Sequence, residues 1–239
     1  MVTVIKNDNI RICLDPTNLN KAIKRAHYPL PTIEETVQSM GKARIFSTFD
    51  AKDGFWQIEL TEKSSYLTTF NTPFGRYRWL RMPFGIKSAS EEFQRRMNDA
   101  LEGLEGVKVI IDDILVIGCG DTDDEAIKDH DKKLIALMER IKEKNIRLNP
   151  NKIKFKQKSV KYIGHVLSSE GLNPDQDKVQ AILSMPTPEN VSGVETLLGM
   201  VGYLSKFLPQ LSTVTQPLRI LEKKDIAWHW GPKQEECLK

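Results

Sequence analysis

The sequence predicts an α+β fold, and three observations support that class. Residues 43–50 alternate apolar and polar side chains, as a half-buried strand does. Residues 109–117 are apolar apart from two adjacent aspartates at their centre, which predicts a strand, a turn and a second strand. Two segments of the capping-box form, Thr32–Glu35 and Ser88–Glu91, predict the starts of helices.

Three helices can be predicted in the first two thirds of the chain. The first follows Pro31 and stops near Gly41, a residue suited to a helix end. The second begins at Ser88, and we expect its apolar face to lie against the sheet that carries the aspartates. The apolar residues of that face are Phe93, Met97, Ala100, Leu101 and Leu104. The third runs from about Asp124 to Asn145, with a core stripe of Ile127, Leu134, Leu137, Met138 and Ile141.

Residues 151–166 switch to a period of two, which predicts a strand. Ile153 and Phe155 fall on one side of it, and four lysines fall on the other. These are Lys152, Lys154, Lys156 and Lys158. A lysine row is typical of a protected, solvated sheet edge, and contact with phosphates is the alternative.

Beyond this strand the pattern becomes helical, in short pieces. Asn173–Pro174 predicts a helix cap with proline at the first helical position. Ser192–Glu195 predicts the cap of a further helix that runs through Leu208. Gly199 and Tyr203 lie four residues apart on this helix, and therefore on one face.

Three aspartates are candidate metal ligands. Burying Asp112 and Asp113 together is costly, because two like charges about 4 Å apart repel by roughly 4 kcal/mol at an effective dielectric constant near 20. A divalent cation such as Mg²⁺ would compensate them, and Asp50, at the end of the alternating segment, adds a third carboxylate. The alternative is a solvated hairpin turn, although such turns favour Asn-Gly or Asp-Gly. Carboxylates on one strand end and on a strand-turn-strand are typical of a polymerase palm.

Composition is consistent with this hypothesis without deciding it. The 239 residues allow one large or two small domains, and 40% hydrophobic with 28% charged residues is ordinary for a globular chain. The net charge of +3 neither proves nor excludes a nucleic-acid partner. Cys13, Cys119 and Cys237 are odd in number and widely spaced, which argues against a disulfide framework or a zinc site and indicates a reducing compartment.

We expect a soluble intracellular protein with no membrane partner. No apolar run approaches the roughly 18 residues that span a bilayer. The first six residues also lack the charged and then apolar layout of a signal peptide.

Several further motifs occur in order along the chain. They are Arg11–Asp15, Leu19–Lys21, Tyr28–Pro31, Phe46–Ile58, Thr72–Gly75, Met82–Gly85, Ile111–Leu115, Tyr162–Val166, Pro186–Pro188 and Leu197–Gly199. With these motifs the sequence resembles the reverse transcriptases of gypsy-class long-terminal-repeat retrotransposons, from about Ile5 to the last residue. One position departs from the family, which usually has an aromatic residue where this chain has Ile110.

The resemblance implies an α+β right-hand polymerase fold, truncated at its N-terminus in the fingers. The expected divisions are residues 1–45 for the first part of the fingers, 46–60 for the first part of the palm, 61–82 for the second part of the fingers, 83–171 for the palm with its primer-holding hairpin, 172–222 for the thumb and 223–239 for the start of a connection towards an absent ribonuclease H domain. Because neither end resembles a domain boundary, we expect a fragment of a larger polyprotein.

The resemblance also implies RNA-directed DNA polymerase activity, in which a primer is extended on two Mg²⁺ ions, with Mn²⁺ as a substitute. Asp50 and Asp112 would hold the ions, Asp113 would complete the charge set, and the Ala51 carbonyl would add an oxygen. For the incoming nucleotide, Arg11 would contact the triphosphate, Phe55 would exclude a ribose 2′ hydroxyl and Phe84 would pack on the base. The primer terminus would be held by Ile163, Gly164 and His165, and the duplex would lie on Gly199 and Tyr203.

Each of these roles has a structural alternative. Arg11 could pair with Asp15 at the surface, Phe55 could be core, and Phe84 could be an ordinary turn residue. Gly199 and Tyr203 could pack inside the thumb.

The implied partners are an RNA or DNA template with its primer, deoxynucleoside triphosphates, and the ribonuclease H, integrase and protease domains of the polyprotein. The implied location is the cytoplasm, with virus-like particles and the nucleus as further sites. The competing function is a domesticated or decayed copy that binds nucleic acid without chemistry, and a purely structural polyprotein subunit is a third.

Overall fold

The computed structural model describes residues 2–6, 9–25, 27–38, 40–223 and 225–238, with side chains from residue 13 onwards. The chain divides into two compact units. The first comprises Met1–Ile163 and Leu167–Gly171, and the second comprises Gly164–Val166 and Leu172–Lys239.

The described residues form both strands and helices. The strands are β1 (Val2–Lys6), β2 (Asn9–Cys13), β3 (Ala43–Asp50), β4 (Phe70–Thr72), β5 (Gly75–Tyr77), β6 (Val107–Ile110), β7 (Asp113–Cys119), β8 (Lys154–Gln157), β9 (Ser159–Tyr162), β10 (His165–Ser168) and β11 (Gly171–Pro174). The helices are α1 (Thr17–Ala22), α2 (Ile33–Gln38), α3 (Glu62–Tyr66), α4 (Ala89–Leu101), α5 (Asp123–Glu143), α6 (Gln176–Leu183), α7 (Val191–Gly202), α8 (Leu211–Val214), α9 (Gln216–Ile220) and α10 (Pro232–Glu236). Short 3₁₀ helices cover Gly54–Gln57, Pro150–Lys152 and Tyr203–Lys206.

A four-stranded antiparallel sheet is the centre of the first unit. Its strand order is β6-β7-β3-β8, and β3 pairs with β7 along nearly its whole length. Strand β7 lies between β6 and β3, and its consecutive residues Ile114, Leu115 and Val116 are 0% exposed, so both of its faces are covered. This burial explains why the segment is apolar at every position instead of alternating.

Helices α4 and α5 contribute to the same core as the sheet. Phe93, Met97 and Leu101 of α4 and Leu137 and Ile141 of α5 belong to a buried cluster that also contains residues of β3, β6 and β7. The spacing of these residues at three or four positions gives each helix one apolar face. The predicted helices in this part of the chain, and the expectation that α4 lies against the sheet, are confirmed.

Two of the predicted helix starts behave differently. Helix α2 begins with the predicted box, because Thr32 Oγ1 accepts from the Glu35 amide at 3.3 Å and Glu35 Oε2 accepts from the Thr32 amide at 3.2 Å. Ser88 makes no side-chain capping bond. Glu91 is instead 5% exposed and forms an ion pair with Arg25, so the tertiary contact replaces the local cap.

The prediction of one strand over residues 151–166 is wrong. The segment forms a 3₁₀ turn, strand β8, strand β9 and the start of β10. Lys156 has φ 47°, and its amide donates to Ser47 Oγ at 2.9 Å, which interrupts the regular pairing of β8 with β3. The lysine row is also broken up, because Lys152, Lys156 and Lys158 each pair with an aspartate.

The second unit contains α6 to α10, and its core is built from apolar residues of α7, of α9 and of the position directly after α9. These are Val194, Leu197, Leu198, Leu218 and Leu221. Two predicted caps are wrong here, because Asn173–Pro174 ends β11 and the caps are Asp175 for α6 and Asn190 for α7. Helix α7 also ends at Gly202, short of Leu208. In both cases a nearby side-chain oxygen accepts from a first-turn amide and so fixes the start of the helix. No helix among the described residues is long and apolar enough to cross a membrane.

Candidate active site

The central sheet brings the three predicted aspartates together at one end. Asp50 is the last residue of β3 and lies directly opposite Asp113, the first residue of β7. Asp112 occupies the two-residue turn between β6 and β7, and its carbonyl oxygen accepts from the Ala51 amide at 2.7 Å. The strand end and the hairpin are therefore joined by backbone bonds on both sides of the aspartates.

The turn that carries Asp112 is conformationally costly. Its first residue, Ile111, has φ 53°, a region that β-branched residues rarely adopt. Gln94 of α4 offsets this cost. The Gln94 Oε1 atom accepts from the Ile111 amide at 2.7 Å, and Nε2 donates to the Val109 carbonyl at 2.9 Å. A fully buried glutamine thus holds the end of β6 and the first residue of the turn.

Gly54 allows the loop after β3 to approach the hairpin. A Cβ atom at this position would overlap the carboxylate of Asp112 and lie 3.1 Å from the Phe93 ring. Only glycine permits this approach without displacing Asp112.

The aspartates lie in an unbalanced negative field. Burial raises the pKa of Asp113, and the charge of Asp50 raises it further, while Lys152 opposes the change. The Lys152 ammonium lies 2.7 Å from Asp50 Oδ2. This hydrogen bond is the main reason that the pKa of Lys152 is raised, and the charges of Asp113 and Asp112 add to it. A cation is therefore held within the field of all three carboxylates.

The oxygen donors fit a hard divalent cation by their chemistry. Mg²⁺ prefers carboxylate oxygens and is commonly held by one or two aspartates together with substrate phosphates. Across the part of the chain that the structure describes, no three His, Cys, Asp or Glu side chains are arranged as a metal cluster. One oxygen of Asp50 is engaged by Lys152 instead. The binding of metal by Asp50, Asp112, Asp113 and the Ala51 carbonyl remains a prediction.

The structure brings together the two predicted nucleotide-binding aromatics. The ring centroids of Phe55 and Phe84 are 5.3 Å apart, and Phe55 also packs edge-on against Phe93 at 5.8 Å. Phe55 is half-buried, so part of the ring belongs to the core and part is accessible. Arg11 lies in β2, and its side chain lies outside the described part of the chain.

The predicted primer-binding residues form a tight turn. Ile163 has φ 47° and Gly164 has φ 74°, as a two-residue hairpin turn requires. Immediately before this turn, Tyr162 is buried, and its hydroxyl donates to the Asp113 carbonyl at 3.2 Å. Burial raises the pKa of Tyr162, and the charge of Asp113 raises it further, so the hydroxyl stays protonated and remains a donor.

The predicted duplex-binding residues differ in their surroundings within the second unit. Gly199 is exposed, and a Cβ atom there would have no atom within 4 Å. Tyr203 is half-buried, its hydroxyl donates to the Gly164 carbonyl, and its ring lies 4.9 Å from the ring of His165. Lys178 Nζ lies over the Tyr203 ring at 3.8 Å. The two residues are therefore not buried together in a common core.

Four residues that contact the aspartates or the turn that carries Asp112 were not identified from the sequence. They are Gly54, Gln94, Lys152 and Tyr162. The Asp53-Gly54 pair after the strand end was a detectable signal, because glycine after a polar residue often marks a close approach. Gln94 and Tyr162 act through long-range contacts that no local pattern indicates.

Comparisons of the sequence with a family model and with individual proteins agree on one family. The family model described as reverse transcriptase (RNA-dependent DNA polymerase) matches residues 5–167. The chain is 32% identical over 216 residues to the Retrovirus-related Pol polyprotein from transposon 297 of Drosophila melanogaster, which covers 90% of this chain and 20% of that protein. It is also 32% identical over 235 residues to the Transposon Tf2-3 polyprotein of Schizosaccharomyces pombe, which covers 98% of this chain and 17% of that protein. The chain thus spans about a fifth of the length of these relatives.

Solved structures share the fold. A foamy viral protease-reverse transcriptase in complex with double-stranded DNA aligns with a TM-score of 0.88 at 21% identity, over 99% of this chain and 41% of that one. A foamy viral protease-reverse transcriptase in complex with an RNA/DNA hybrid aligns with a TM-score of 0.86 at 21% identity, over 99% of this chain and 32% of that one. These alignments confirm the predicted fold.

Proposed function

The chain belongs to the reverse transcriptase (RNA-dependent DNA polymerase) family, and from this premise we propose that it extends a primer by metal-assisted nucleotidyl transfer. The predicted resemblance to retrotransposon reverse transcriptases is confirmed by the transposon polyproteins among its relatives. We also propose that it works as one domain of such a polyprotein, with ribonuclease H, integrase and protease domains as partners.

One observation carries the proposal: Asp50 and Asp113 face each other across β3 and β7, and Asp112 lies in the adjoining turn. Asp50 and Asp112 would hold Mg²⁺ through carboxylate oxygens, with Mn²⁺ as a substitute, and Asp113 would add charge. When bound, the metal supplies activation of the primer 3′ hydroxyl and neutralisation of the departing pyrophosphate. The elevated pKa of Asp113 supports a site that is completed by added positive charge.

The aromatic pair next to the aspartates supports a role in nucleotide selection. Phe55 packs against Phe84 and Phe93, and these contacts restrict the motion of its ring. A rigid ring excludes a ribose 2′ hydroxyl by contact, which discriminates by differential affinity. Phe84 would pack on the nucleotide, and Arg11 would contact the triphosphate.

The proposed nucleic-acid partner is an RNA or DNA template with its primer. Two solved foamy viral protease-reverse transcriptases with the same fold are in complex with double-stranded DNA and with an RNA/DNA hybrid. By analogy, Ile163, Gly164 and His165 would hold the primer terminus in this chain. Gly199 and Tyr203 would lie against the duplex, and the second unit would act as the thumb.

Primer extension by an Asp112→Asn variant tests the proposal. Asparagine keeps the shape of the side chain and removes its charge, so nucleotide addition on an RNA template with Mg²⁺ should fall on the order of 100-fold or more. Template-primer affinity, measured separately by fluorescence anisotropy, should change little. The control is Asp124→Asn, which removes an exposed aspartate of α5.

Extension at the parental rate by Asp112→Asn would show that Asp112 has no part in the chemistry. A parental protein that binds template-primer tightly and adds no nucleotide would favour the non-catalytic binding module instead.

A further inference from the structure

A cavity of about 310 Å³ lies in the first unit, beside the end of strand β3. Its lining includes Lys52, Asp53, Trp56, Gln57, Arg81 and Arg147. Three of these side chains are cationic, and Asp53 is the one acid among them. None of the lining residues has been given a role in the reaction.

The walls of the cavity are held together by hydrogen bonds of the backbone and of the Gln57 side chain. The Lys52 amide donates to the Arg147 carbonyl at 2.8 Å. Gln57 joins the same two segments, because its Nε2 donates to the Lys52 carbonyl at 2.7 Å and its Oε1 accepts from the Arg147 amide at 2.9 Å. Asp53 has φ 52°, a costly backbone conformation that persists only where its surroundings hold it.

Two of the cations lack an anionic partner. Over the described residues, no carboxylate lies within ion-pair distance of Lys52 or Arg147, whereas Arg81 pairs with Glu59 at 2.8 Å. Two uncompensated cations that line one cavity indicate an anion that the described chain does not supply.

The cavity adjoins the aspartate cluster through the chain itself. Lys52 follows Asp50 by two residues, and Arg147 precedes the residue that bridges to Ala51. The Asn149 amide donates to the Asp50 carbonyl at 2.9 Å, which ties the far wall to the strand end. An anion in the cavity would therefore lie near the point where a nucleotide loses its pyrophosphate.

We propose that this cavity binds a polyphosphate anion, and that its ligand is the pyrophosphate released by nucleotide addition. Lysine and arginine bind phosphate oxygens through charge-assisted hydrogen bonds, and the arginine fork can engage two oxygens. The small volume fits a compact anion better than a polymer. The proposal rests on the proposed function for the origin of the ligand, although the binding itself does not require catalysis.

Titration calorimetry with inorganic pyrophosphate tests the proposal. The full chain would be titrated without template-primer and without divalent metal, so binding is measured apart from activity. A Lys52→Gln, Arg147→Gln double variant should bind pyrophosphate at least about tenfold more weakly, because charge-assisted bonds are lost. The matched control is Lys63→Gln, Arg76→Gln, which removes the same charge from exposed positions of the same unit and should bind within about twofold of the parent.

A second variant guards against loss of folding. Lys52→Arg, Arg147→Lys keeps both positive charges, so it should bind pyrophosphate within about threefold of the parent at an unchanged melting temperature. Parental affinity for pyrophosphate in the Lys52→Gln, Arg147→Gln variant would overturn the proposal.

Further titrations separate the sources of the phosphate. A parallel loss for dATP in the double variant would show that the triphosphate of the nucleotide uses the same cavity. If the double variant loses affinity for pyrophosphate alone, the cavity binds the product of the reaction. A loss confined to a single-stranded oligonucleotide would assign it to nucleic-acid phosphates and would overturn the proposal.

Primer extension by the same preparations keeps the two hypotheses apart. In one outcome, the parental protein extends primers while the variants bind pyrophosphate as tightly as it does. That result would support the polymerase function and overturn the proposed pyrophosphate site. If the parental protein cannot extend primers but binds pyrophosphate through Lys52 and Arg147, the anion site is supported and the polymerase function is overturned.

Discussion

The Lys152 ammonium lies 2.7 Å from Asp50 Oδ2. The same carboxylate is a proposed metal ligand. The Lys152 side chain is 61% exposed, so the ion pair is screened by solvent and can be exchanged. Under the proposed function, Lys152 would therefore act as a counter-ion that neutralises the carboxylates until a metal displaces it. It would then compete with the metal for Asp50.

The first prediction is that Lys152→Gln increases the affinity for divalent metal. Removal of the competing ammonium should strengthen Mn²⁺ binding by between about 1.5-fold and 5-fold, the range expected from an exposed ion pair. Electron paramagnetic resonance of free Mn²⁺ measures this without substrate. Lys154→Gln, at an exposed neighbouring position, is the control. Equal affinity in the two variants would mean that Lys152 does not compete at Asp50.

Some residues of the site could be predicted from sequence, and others could not. Asp112 and Asp113 were detectable because two charges within an apolar run require compensation. Gln94 was not, because a polar residue in an amphipathic helix is expected to face solvent, whereas long-range contacts leave it 0% exposed. Lys152 was predicted to lie in a row of strand lysines, and the 3₁₀ turn turns it towards Asp50 instead.

At the scale of elements, the hairpin of β6 and β7 depends on helix α4. Positive φ at a β-branched residue costs on the order of 1–3 kcal/mol, so the turn at Ile111 persists only because other contacts hold it. The two hydrogen bonds of Gln94 supply such contacts. The local pattern of the hairpin therefore explains its strands, and the tertiary contact explains its turn.

The second prediction is that Gln94→Met destabilises the first unit by roughly 2–4 kcal/mol. Methionine fills a similar volume but leaves the Ile111 amide and the Val109 carbonyl without their partner. Chemical denaturation measures the loss, and nucleotide addition should fall as well because Asp112 loses its support. The control is Arg96→Met, at an exposed position of the same helix. Equal stability of the two variants would show that the hairpin does not need Gln94.

Helix α7 presents Gly199 to solvent, and this open position sharpens the proposed duplex contact. Because a Cβ atom at Gly199 would meet nothing within 4 Å, a larger residue there would not crowd a core. The alternative of a packed glycine therefore no longer accounts for the residue, whereas close approach of a duplex still does.

The third prediction is that Gly199→Val shortens the products made in one binding event. The added side chain should obstruct the duplex, while the melting temperature stays equal or rises because glycine is a poor helix former. Extension with a trap for released enzyme measures product length. Ala181→Val, at an exposed position of α6, is the control. If Gly199→Val makes products of parental length, this face of α7 does not contact the duplex.

At the scale of the whole molecule, the sequence predicted the order of elements better than their boundaries. Long periodic segments such as α5 were recovered because many residues contribute to one pattern. The segment after α5 was not, because a 3₁₀ turn and positive φ values at Lys156, Ile163 and Gly164 interrupt the regular alternation. The starts of α6 and α7 were misplaced because several polar residues near each start can serve as a cap.

A buried histidine joins α5 to the sheet and makes stability depend on pH. His130 is 0% exposed, and its Nε2 lies 2.9 Å from Ser47 Oγ in β3. Nδ1 lies 3.3 Å from Asp131, which also pairs with Lys156 of β8 at 2.8 Å. Burial lowers the pKa of His130, with Lys156 adding to the effect and Asp131 opposing it. The folded molecule therefore holds this histidine in its neutral form.

The fourth prediction is that the molecule loses stability as pH falls below about 6.5, the usual pKa of an unfolded histidine. The folded pKa of His130 is the lower one, so the unfolded chain binds more protons in this range. The histidine therefore costs no stability above that pH and destabilises the fold progressively below it. We expect a loss on the order of 1 kcal/mol, or roughly 2–4 °C in melting temperature, between pH 7 and pH 5.5.

Replacement of the histidine isolates its contribution to that slope. His130→Gln remains neutral at every pH, so its melting temperature should fall less than that of the parent over the same interval, whatever its stability at pH 7. The control is His27→Asn, which removes an exposed histidine and keeps a residue that tolerates its φ of 51°. That control should retain the parental slope. If His130→Gln loses stability with acid as steeply as the parent, the pH dependence arises from other groups, and the histidine acts only through its hydrogen bond to Ser47.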